Sequence, residues 1–259
     1  MARRKVLFLA VLLMVLAFGC WLPVGNAAQV TPAVVALTTA VIPTEALSIE
    51  PSLTPSPLPS DTPLPTATTV PTLTPTAEPA GCWRPPDDYS RVEVNNGVGV
   101  LNRRTLAMLE HAAQLYGGEI EITGYSITQG SYTSSEPASF GTHDGGGAVD
   151  LSVMRPGTWT VLYDELEPLI HALRISGFAA WVRDFNELYS GSPIHIHAVA
   201  IGDQDLSIAA REQLNGTFGY FRGFTGVPLD GPPALDRHGG PILCQWMIDM
   251  GYQDLRNSP

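Results

Sequence analysis

A long stretch rich in threonine and proline near the start of the chain limits which part of it can fold. Between residues 30 and 80 the sequence contains no Gly, Lys, Arg or aromatic residue. Such a composition buries too little apolar surface to offset the chain entropy lost on folding. We therefore predict that residues 28–80 form a disordered linker of extended, polyproline-like character. Folding is then confined to residues 81–259, which are enough for one domain with its own core.

The N-terminus has the pattern of an export signal. Residues 1–5 are basic, and residues 6–19 are an almost uninterrupted apolar run that is short for a transmembrane helix. We predict a signal peptide over residues 1–27. The alternative is a lipoprotein signal that ends before Cys20 and tethers the chain to a membrane. Either cleavage places the mature protein outside the cytoplasm, secreted or held at the cell surface.

Two cysteines remain in the segment that we expect to fold. Cys82 and Cys244 lie near its two ends, and a single pair in an exported chain predicts a disulfide. In the chain-entropy description, closing so long a loop stabilises the fold by roughly 4–5 kcal/mol.

Hydrophobic periodicity indicates a mixture of helices and strands. It predicts helices over residues 101–116, 159–175 and 207–214, and Asn102 is a suitable N-cap for the first of them. It predicts strands over residues 119–123, 148–153, 178–182 and 195–201. The order has no regular βαβ repeat, so the expected fold class is α+β.

Two short segments carry candidate metal ligands. His143 and Asp150 flank the glycines of residues 145–147, and His195 and His197 lie two residues apart in an apolar, β-branched setting. On a strand, side chains at i and i+2 share a face, so the two later histidines should point the same way. Two neutral imidazoles and one carboxylate are typical of a catalytic zinc site. We interpret His143, Asp150 and His197 as ligands of one Zn²⁺, with His195 beside the metal.

The surroundings favour ligation over the ordinary packing of histidines. Three consecutive glycines remove every Cβ where a loop must pass close to a site. The alternation at residues 148–153 places Ala148, Asp150 and Ser152 on one face of a strand. A carboxylate in such an apolar setting is costly unless it is paired or bound to a metal.

The segment His143-x-x-Gly-x-Ala-x-Asp150 resembles the signature of the zinc D,D-carboxypeptidases and D,D-dipeptidases, whose metal-binding core the hedgehog signalling domain shares. His195-x-His197 resembles the His-x-His of the carboxypeptidase and hedgehog branches, in which the second His binds zinc. The resemblance covers roughly residues 101–203. It implies a hedgehog/D,D-peptidase-like domain with a small, mostly antiparallel sheet flanked by helices.

The same resemblance implies a substrate-binding segment. Tyr125 and Ser126, with Gln129 just after, resemble a modified form of the Ser-Gly-Tyr-Arg-Ser segment that opens the peptidase domain. We therefore predict that these three residues contact substrate. The arginine that holds the substrate carboxylate in some relatives is replaced here by Ser126.

Arg183 is a second candidate for contact with a substrate carboxylate. It follows a predicted strand that should run near the site, and a guanidinium can bind a carboxylate through two parallel hydrogen bonds. The alternative is a surface arginine paired with Asp184 or Glu187.

The general base is the main departure from the family pattern. Relatives carry Glu or Asp three residues before the last zinc-binding His, or Glu six residues before it. Those positions are Ile194 and Gly191 here, and neither can accept a proton. Glu187, the nearest carboxylate upstream of the two histidines, is the candidate replacement, with Asp144 or His195 as alternatives.

Two functions follow from these predictions. The first is an exported zinc metallopeptidase that acts on peptidoglycan stem peptides as a D,D-carboxypeptidase or endopeptidase, with His195 stabilising the developing oxyanion. The second is a catalytically inactive zinc-binding recognition module for cell-wall or peptide ligands. A net charge of −11 argues against nucleic acid as a partner, and we expect a monomer.

Overall fold

The computed structural model describes residues 77–226 and 234–258. The predicted signal peptide and residues 28–76 of the predicted linker lie outside the described residues. Within the described ranges, no helix has the length and apolar character needed to cross a membrane.

An N-terminal hairpin precedes the first helix. Strands β1 (Arg91–Val94) and β2 (Gly99–Asn102) pair antiparallel, and helix α1 (Arg103–Tyr116) follows directly. The side chain of Asn102 accepts a hydrogen bond from the Thr105 N–H at 2.8 Å, which confirms the predicted N-cap. The prediction of helix from residue 101 is two residues too early, because Asn102 ends β2 and caps α1 at once.

A four-stranded antiparallel sheet forms the centre of the domain. Its strands are β3 (Ile127–Gln129), β4 (Ala148–Ser152), β5 (Phe178–Arg183) and β6 (His195–Ala200), in the spatial order β3-β4-β6-β5. Three of these strands lie where the alternation predicted them. With the N-terminal hairpin this gives two small antiparallel sheets, and the predicted α+β class is confirmed.

Three further helices complete the architecture of the described residues. They are α2 (Tyr163–Ile175), α3 (Ile208–Asn215) and α4 (Gln245–Asp249). The Ser207 side chain accepts a hydrogen bond from the Ala210 N–H at 3.0 Å and caps α3, in agreement with the predicted helix.

The predicted strand over residues 119–123 is wrong. The carboxylate of Glu121 accepts hydrogen bonds from the backbone N–H groups of Thr123 and Tyr125, each at 2.9 Å. These bonds bend the chain into a turn. Two isoleucines within the segment are nevertheless buried. The alternation therefore indicated burial correctly, although the backbone is not a strand.

Helix α2 begins later than predicted. The Arg155 N–H donates to the Thr160 carbonyl at 2.9 Å and closes a short hairpin, on which Trp159 is 87% exposed. The helix starts only at Tyr163, and Asp164 and Glu165 then lie in its first turn, where the helix dipole favours negative charge.

The two faces of the central sheet pack against different partners. Ile196 and Ala198 of β6 belong to a hydrophobic cluster that includes side chains of α1 and α2. Val199 belongs to a second cluster formed with α3, α4 and the segment between them. Because side chains alternate along a strand, His195 and His197 share the face of Val199. The candidate ligands therefore lie on the face opposite α1 and α2.

The two ends of the described domain are joined covalently. Cys82 and Cys244 form a disulfide with a Cα–Cα distance of 5.6 Å across 162 residues of sequence. This confirms the predicted pairing and is compatible with an extracellular location.

Candidate metal centre

Strand register brings two of the predicted ligands together. In the antiparallel pair of β4 and β6, Asp150 lies opposite His197 and Ser152 lies opposite His195. Directly opposite residues in such a pair project from the same face of the sheet. The carboxylate and both imidazoles are therefore held on one face by rigid strands.

A glycine-rich loop positions His143, the third candidate ligand. The Thr133 N–H donates to the His143 carbonyl at 2.8 Å, which fixes the loop beside the start of β4. A Cβ atom added at Gly145 would lie only 2.1 Å from the carbonyl oxygen of Asp205, so any side chain there would displace the loop. Gly147 has a φ of +78°, in the left-handed region that favours glycine. Glycine is therefore required at position 145 by the close backbone contact and favoured at position 147 by the backbone angle.

The three candidate ligand atoms converge on one point. His143 Nε2 lies 3.3 Å from Asp150 Oδ1 and 3.3 Å from His197 Nδ1, and the last two atoms are 2.7 Å apart. A tetrahedral zinc with bonds near 2.0–2.1 Å holds its ligand atoms about 3.3 Å from one another. Two of the three distances match that value, and the third is shorter by a fraction of an ångström. The residues therefore fit a tetrahedral metal ion.

Hydrogen bonds at the outer ring nitrogens orient both candidate ligand histidines. His143 Nδ1 lies 2.8 Å from the carbonyl oxygen of Gly130, and His197 Nε2 lies 2.8 Å from Oε1 of Gln213. Both oxygens can only accept, so these outer nitrogens carry the hydrogens. In the neutral rings His143 Nε2 and His197 Nδ1 then present lone pairs to each other and to the carboxylate of Asp150. Three acceptors at such distances need a cation or a proton between them.

The electrostatics of the cluster act differently on its three residues. Burial raises the pKa of Asp150, but the adjacent imidazoles outweigh it and hold that pKa well below its usual range. Burial lowers the pKa of His197 to about 4. Burial also opposes charge on His143, but the Asp150 carboxylate outweighs it and raises that pKa. At neutral pH the centre thus holds an ionised carboxylate next to a neutral His197.

His195 lies beside the three ligand residues and outside their convergence point. Its Nδ1 is 2.9 Å from the carbonyl oxygen of Pro193, and its Nε2 is 3.8 Å from Asp150 Oδ2. The carbonyl fixes the hydrogen on Nδ1 and leaves Nε2 directed towards the metal centre. This position is the one predicted for a group next to the metal, and its role stays a prediction.

Two cavities meet at the metal centre. A small cavity of about 30 Å³ lies over the ligand residues, between Phe140, Thr142 and Leu188. A larger cleft of about 230 Å³ continues from it along β3 and β4. Asp150 and His195 line both cavities, so the cleft opens directly onto the candidate ligands.

Arg183 lines the small cavity with its guanidinium already engaged. Its side chain is 1% exposed, Nη2 donates to the Thr225 carbonyl at 2.8 Å, and Nη1 lies 3.4 Å from Glu187 Oε1. The pairing with Glu187 agrees with the alternative interpretation, although the arginine is buried. Burial lowers the pKa of Arg183, and the Glu187 carboxylate partly offsets this.

Among the described residues, Glu187 hydrogen-bonds to Arg183 and Asp184 and to none of the three candidate ligands. Its second carboxylate oxygen accepts the Asp184 N–H at 2.7 Å, and among the described residues it lines neither cavity at the metal centre. This position gives no support to Glu187 as a general base, which stays a prediction.

Of the three predicted substrate residues, only Gln129 lines the cleft. Its Nε2 donates to the Ser139 hydroxyl at 2.5 Å. The Ser126 side chain is fully buried, and its hydroxyl has no hydrogen-bond partner among the described residues. Tyr125 is 40% exposed and lies away from both cavities.

Two residues that touch His197 were not anticipated from the sequence. Gln213, on α3, accepts its Nε2–H, and the Trp181 ring lies nearly parallel to the imidazole with centroids 6.0 Å apart. A polar residue on the inner face of the predicted 207–214 helix was the only available signal for Gln213. Trp181 gave none, because strand alternation alone does not tell which strands are neighbours.

Comparison with known proteins identifies no relative of this chain. No family model matches the chain, and no curated protein or solved structure matches it significantly. The donor set, its distances and its outer hydrogen bonds are therefore what supports a metal centre here.

Proposed function

We propose that the chain is an exported zinc metallopeptidase of the D,D-peptidase type, acting on peptidoglycan stem peptides, and that its α+β domain has the hedgehog/D,D-peptidase fold. The observation that carries this proposal is the convergence of His143 Nε2, Asp150 Oδ1 and His197 Nδ1 beside an open cleft. Three protein ligands next to a cleft are typical of catalytic zinc, whereas structural zinc usually has four. The disulfide supports export, because such bonds persist in oxidising compartments.

His143, Asp150 and His197 would hold the ion. Bound there, zinc would polarise a scissile carbonyl and lower the pKa of an adjacent water. Gly130 and Gln213 would keep the two imidazoles in the tautomers that ligation requires, by accepting their outer N–H groups.

The chain must also move a proton. Hydrolysis adds the water oxygen to the carbonyl carbon, breaks the C–N bond and delivers a proton to the leaving nitrogen. Among the described residues that line the two cavities, His195 is the only imidazole or carboxylate not assigned to the metal. Its free Nε2 could accept the proton from water or, once protonated, donate to the developing oxyanion. We therefore propose that His195 both stabilises the developing oxyanion and transfers the proton.

A second candidate function is a zinc-binding recognition module without turnover. The described lining of both cavities contains no carboxylate besides the ligand Asp150, and this observation favours it. Both functions need the same three ligands. They differ in whether a bound peptide is cleaved.

Incubation of the purified protein with isolated peptidoglycan, in the presence of zinc or of a chelator, tests the proposal. Mass spectrometry of the soluble fraction should detect stem-peptide fragments only with zinc, and His195→Ala should lower their yield strongly. His171→Ala is the matched control, because that histidine is exposed on α2. If the protein instead sediments with the wall and releases nothing, the recognition module is the correct function.

A further inference from the structure

The cleft beside the metal centre is lined by neutral groups. Apart from Asp150 and His195, its described lining offers only hydroxyl, amide and apolar side chains. These include Thr128, Gln129, Ser152, Met154, Leu188 and Ile194. At about 230 Å³ the cleft is smaller than the roughly 300–1,000 Å³ of sites for drug-sized ligands. It therefore suits a short peptide segment with small, uncharged side chains.

Positive charge is scarce in the whole domain. The only lysine of the chain is Lys5, so every permanent cation beyond it is an arginine. Among the described residues, Arg183 is the only arginine that lines either cavity at the metal centre. Recognition of a free carboxylate next to the scissile bond would therefore depend on this one side chain.

Arg183 already has an anionic partner. Glu187 lies 3.4 Å from Nη1, and the Thr225 carbonyl accepts from Nη2 at 2.8 Å. Glu187 is itself held by the Asp184 N–H, so the pair is fixed in place. A ligand carboxylate in the small cavity would meet a guanidinium that Glu187 already neutralises, and it would approach the ionised Asp150 at the same time.

We propose that the site selects a peptide whose chain continues uncharged beyond the scissile bond, and that Glu187 sets this preference by neutralising Arg183. The inference rests on the proposed function for the position of the scissile bond. It assigns the protein endopeptidase-type specificity and makes Glu187 a specificity-determining residue with no part in proton transfer.

The first test compares two synthetic stem peptides that end in D-Ala-D-Ala, one with a free C-terminal carboxylate and one amidated. The full-length exported protein with zinc should cleave the amidated peptide with a kcat/KM about tenfold or more above that of the acid, as expected for one unmet charged contact. Equal cleavage, or preference for the acid, would overturn the inference and leave the proposed function standing.

The second test is Glu187→Gln, which frees the guanidinium while keeping the shape of the side chain. The variant should improve cleavage of the acid peptide by about tenfold and leave cleavage of the amide nearly unchanged. Glu110→Gln, exposed on α1, controls for the change in net charge. Loss of cleavage of both peptides by a folded Glu187→Gln protein would show that Glu187 acts as a base and would refute the proposal.

If neither peptide is cut, a binding measurement still tests the proposed specificity. Zinc-dependent binding of the amide in preference to the acid, measured by calorimetry, would support the specificity while the proposed hydrolysis fails. Stronger binding of the acid, or no binding of either peptide, would overturn the specificity. If Glu187→Gln does not fold, the comparison of acid and amide with the wild-type protein still decides.

Discussion

His197→Ala and His195→Ala should separate a metal ligand from its neighbour on the same strand. His197 Nδ1 lies 2.7 Å from Asp150 Oδ1 and 3.3 Å from His143 Nε2, so its loss removes one of three ligands. His195 Nε2 lies 3.8 Å from the other oxygen of Asp150 and outside the convergence point. The first variant should lose the metal, and the second should keep it.

The size of the effect follows from ligand linkage. With free zinc at about 1,000 times the dissociation constant, the wild-type domain gains about 4.1 kcal/mol of stability. For a domain of this size, each kcal/mol raises Tm by about 2–4 °C, so zinc should raise Tm by about 8–16 °C. A neighbouring group typically changes metal affinity about 10–100-fold, so His195→Ala should keep at least about 1.4 kcal/mol of this gain.

Thermal unfolding with and without zinc measures both variants directly. His197→Ala should show no zinc-dependent shift, whereas His195→Ala should shift by at least a few degrees and should lose about 10²–10³ of any peptidase rate. Loss of the shift in His195→Ala together with its retention in His197→Ala would refute the assigned ligand set. A fully active His195→Ala would remove this residue from the mechanism.

Three further predictions concern the scaffold. Reduction of the Cys82–Cys244 disulfide, which spans 162 residues, should lower the unfolding free energy by about 5 kcal/mol in denaturant titrations, and an unchanged midpoint would contradict the pairing. Gly145→Ala should weaken zinc binding and lower Tm, because its Cβ would lie 2.1 Å from a backbone oxygen; a Tm equal to wild type would show that the loop relaxes freely. Gln213→Leu should weaken zinc binding about 10–100-fold in competition titrations, because it leaves the outer N–H of His197 unpaired. An unchanged affinity would show that this hydrogen bond does not support metal binding.

The sequence predicted the grouping of His143, Asp150 and His197 and most of the central sheet because their signals are local. Alternation places Asp150 and His197 on strand faces. The glycines that follow His143 mark a loop in which added side chains would clash. What could not be predicted depends on contacts between distant segments. The partnership of His197 with Gln213 arises from tertiary packing.

Side-chain hydrogen bonds account for the wrong strand. The alternation at residues 119–123 is real, but Glu121 binds two backbone N–H groups further along and turns the chain. The pairing of Arg183 with Glu187 was one of two alternatives, and only the structure shows how deeply the arginine is buried. Short-range patterns could not decide that burial, because it depends on the segment around Thr225.

The metal content of the purified protein tests the assigned centre most directly. After incubation with stoichiometric zinc and extensive dialysis, elemental analysis should find about one zinc per chain, bound by two imidazoles and one carboxylate. Asp150→Ala should retain none, and X-ray absorption of the wild-type protein should show nitrogen and oxygen ligands at about 2.0–2.1 Å. A wild-type protein that retains no zinc, or an Asp150→Ala variant that retains a full equivalent, would contradict the assignment.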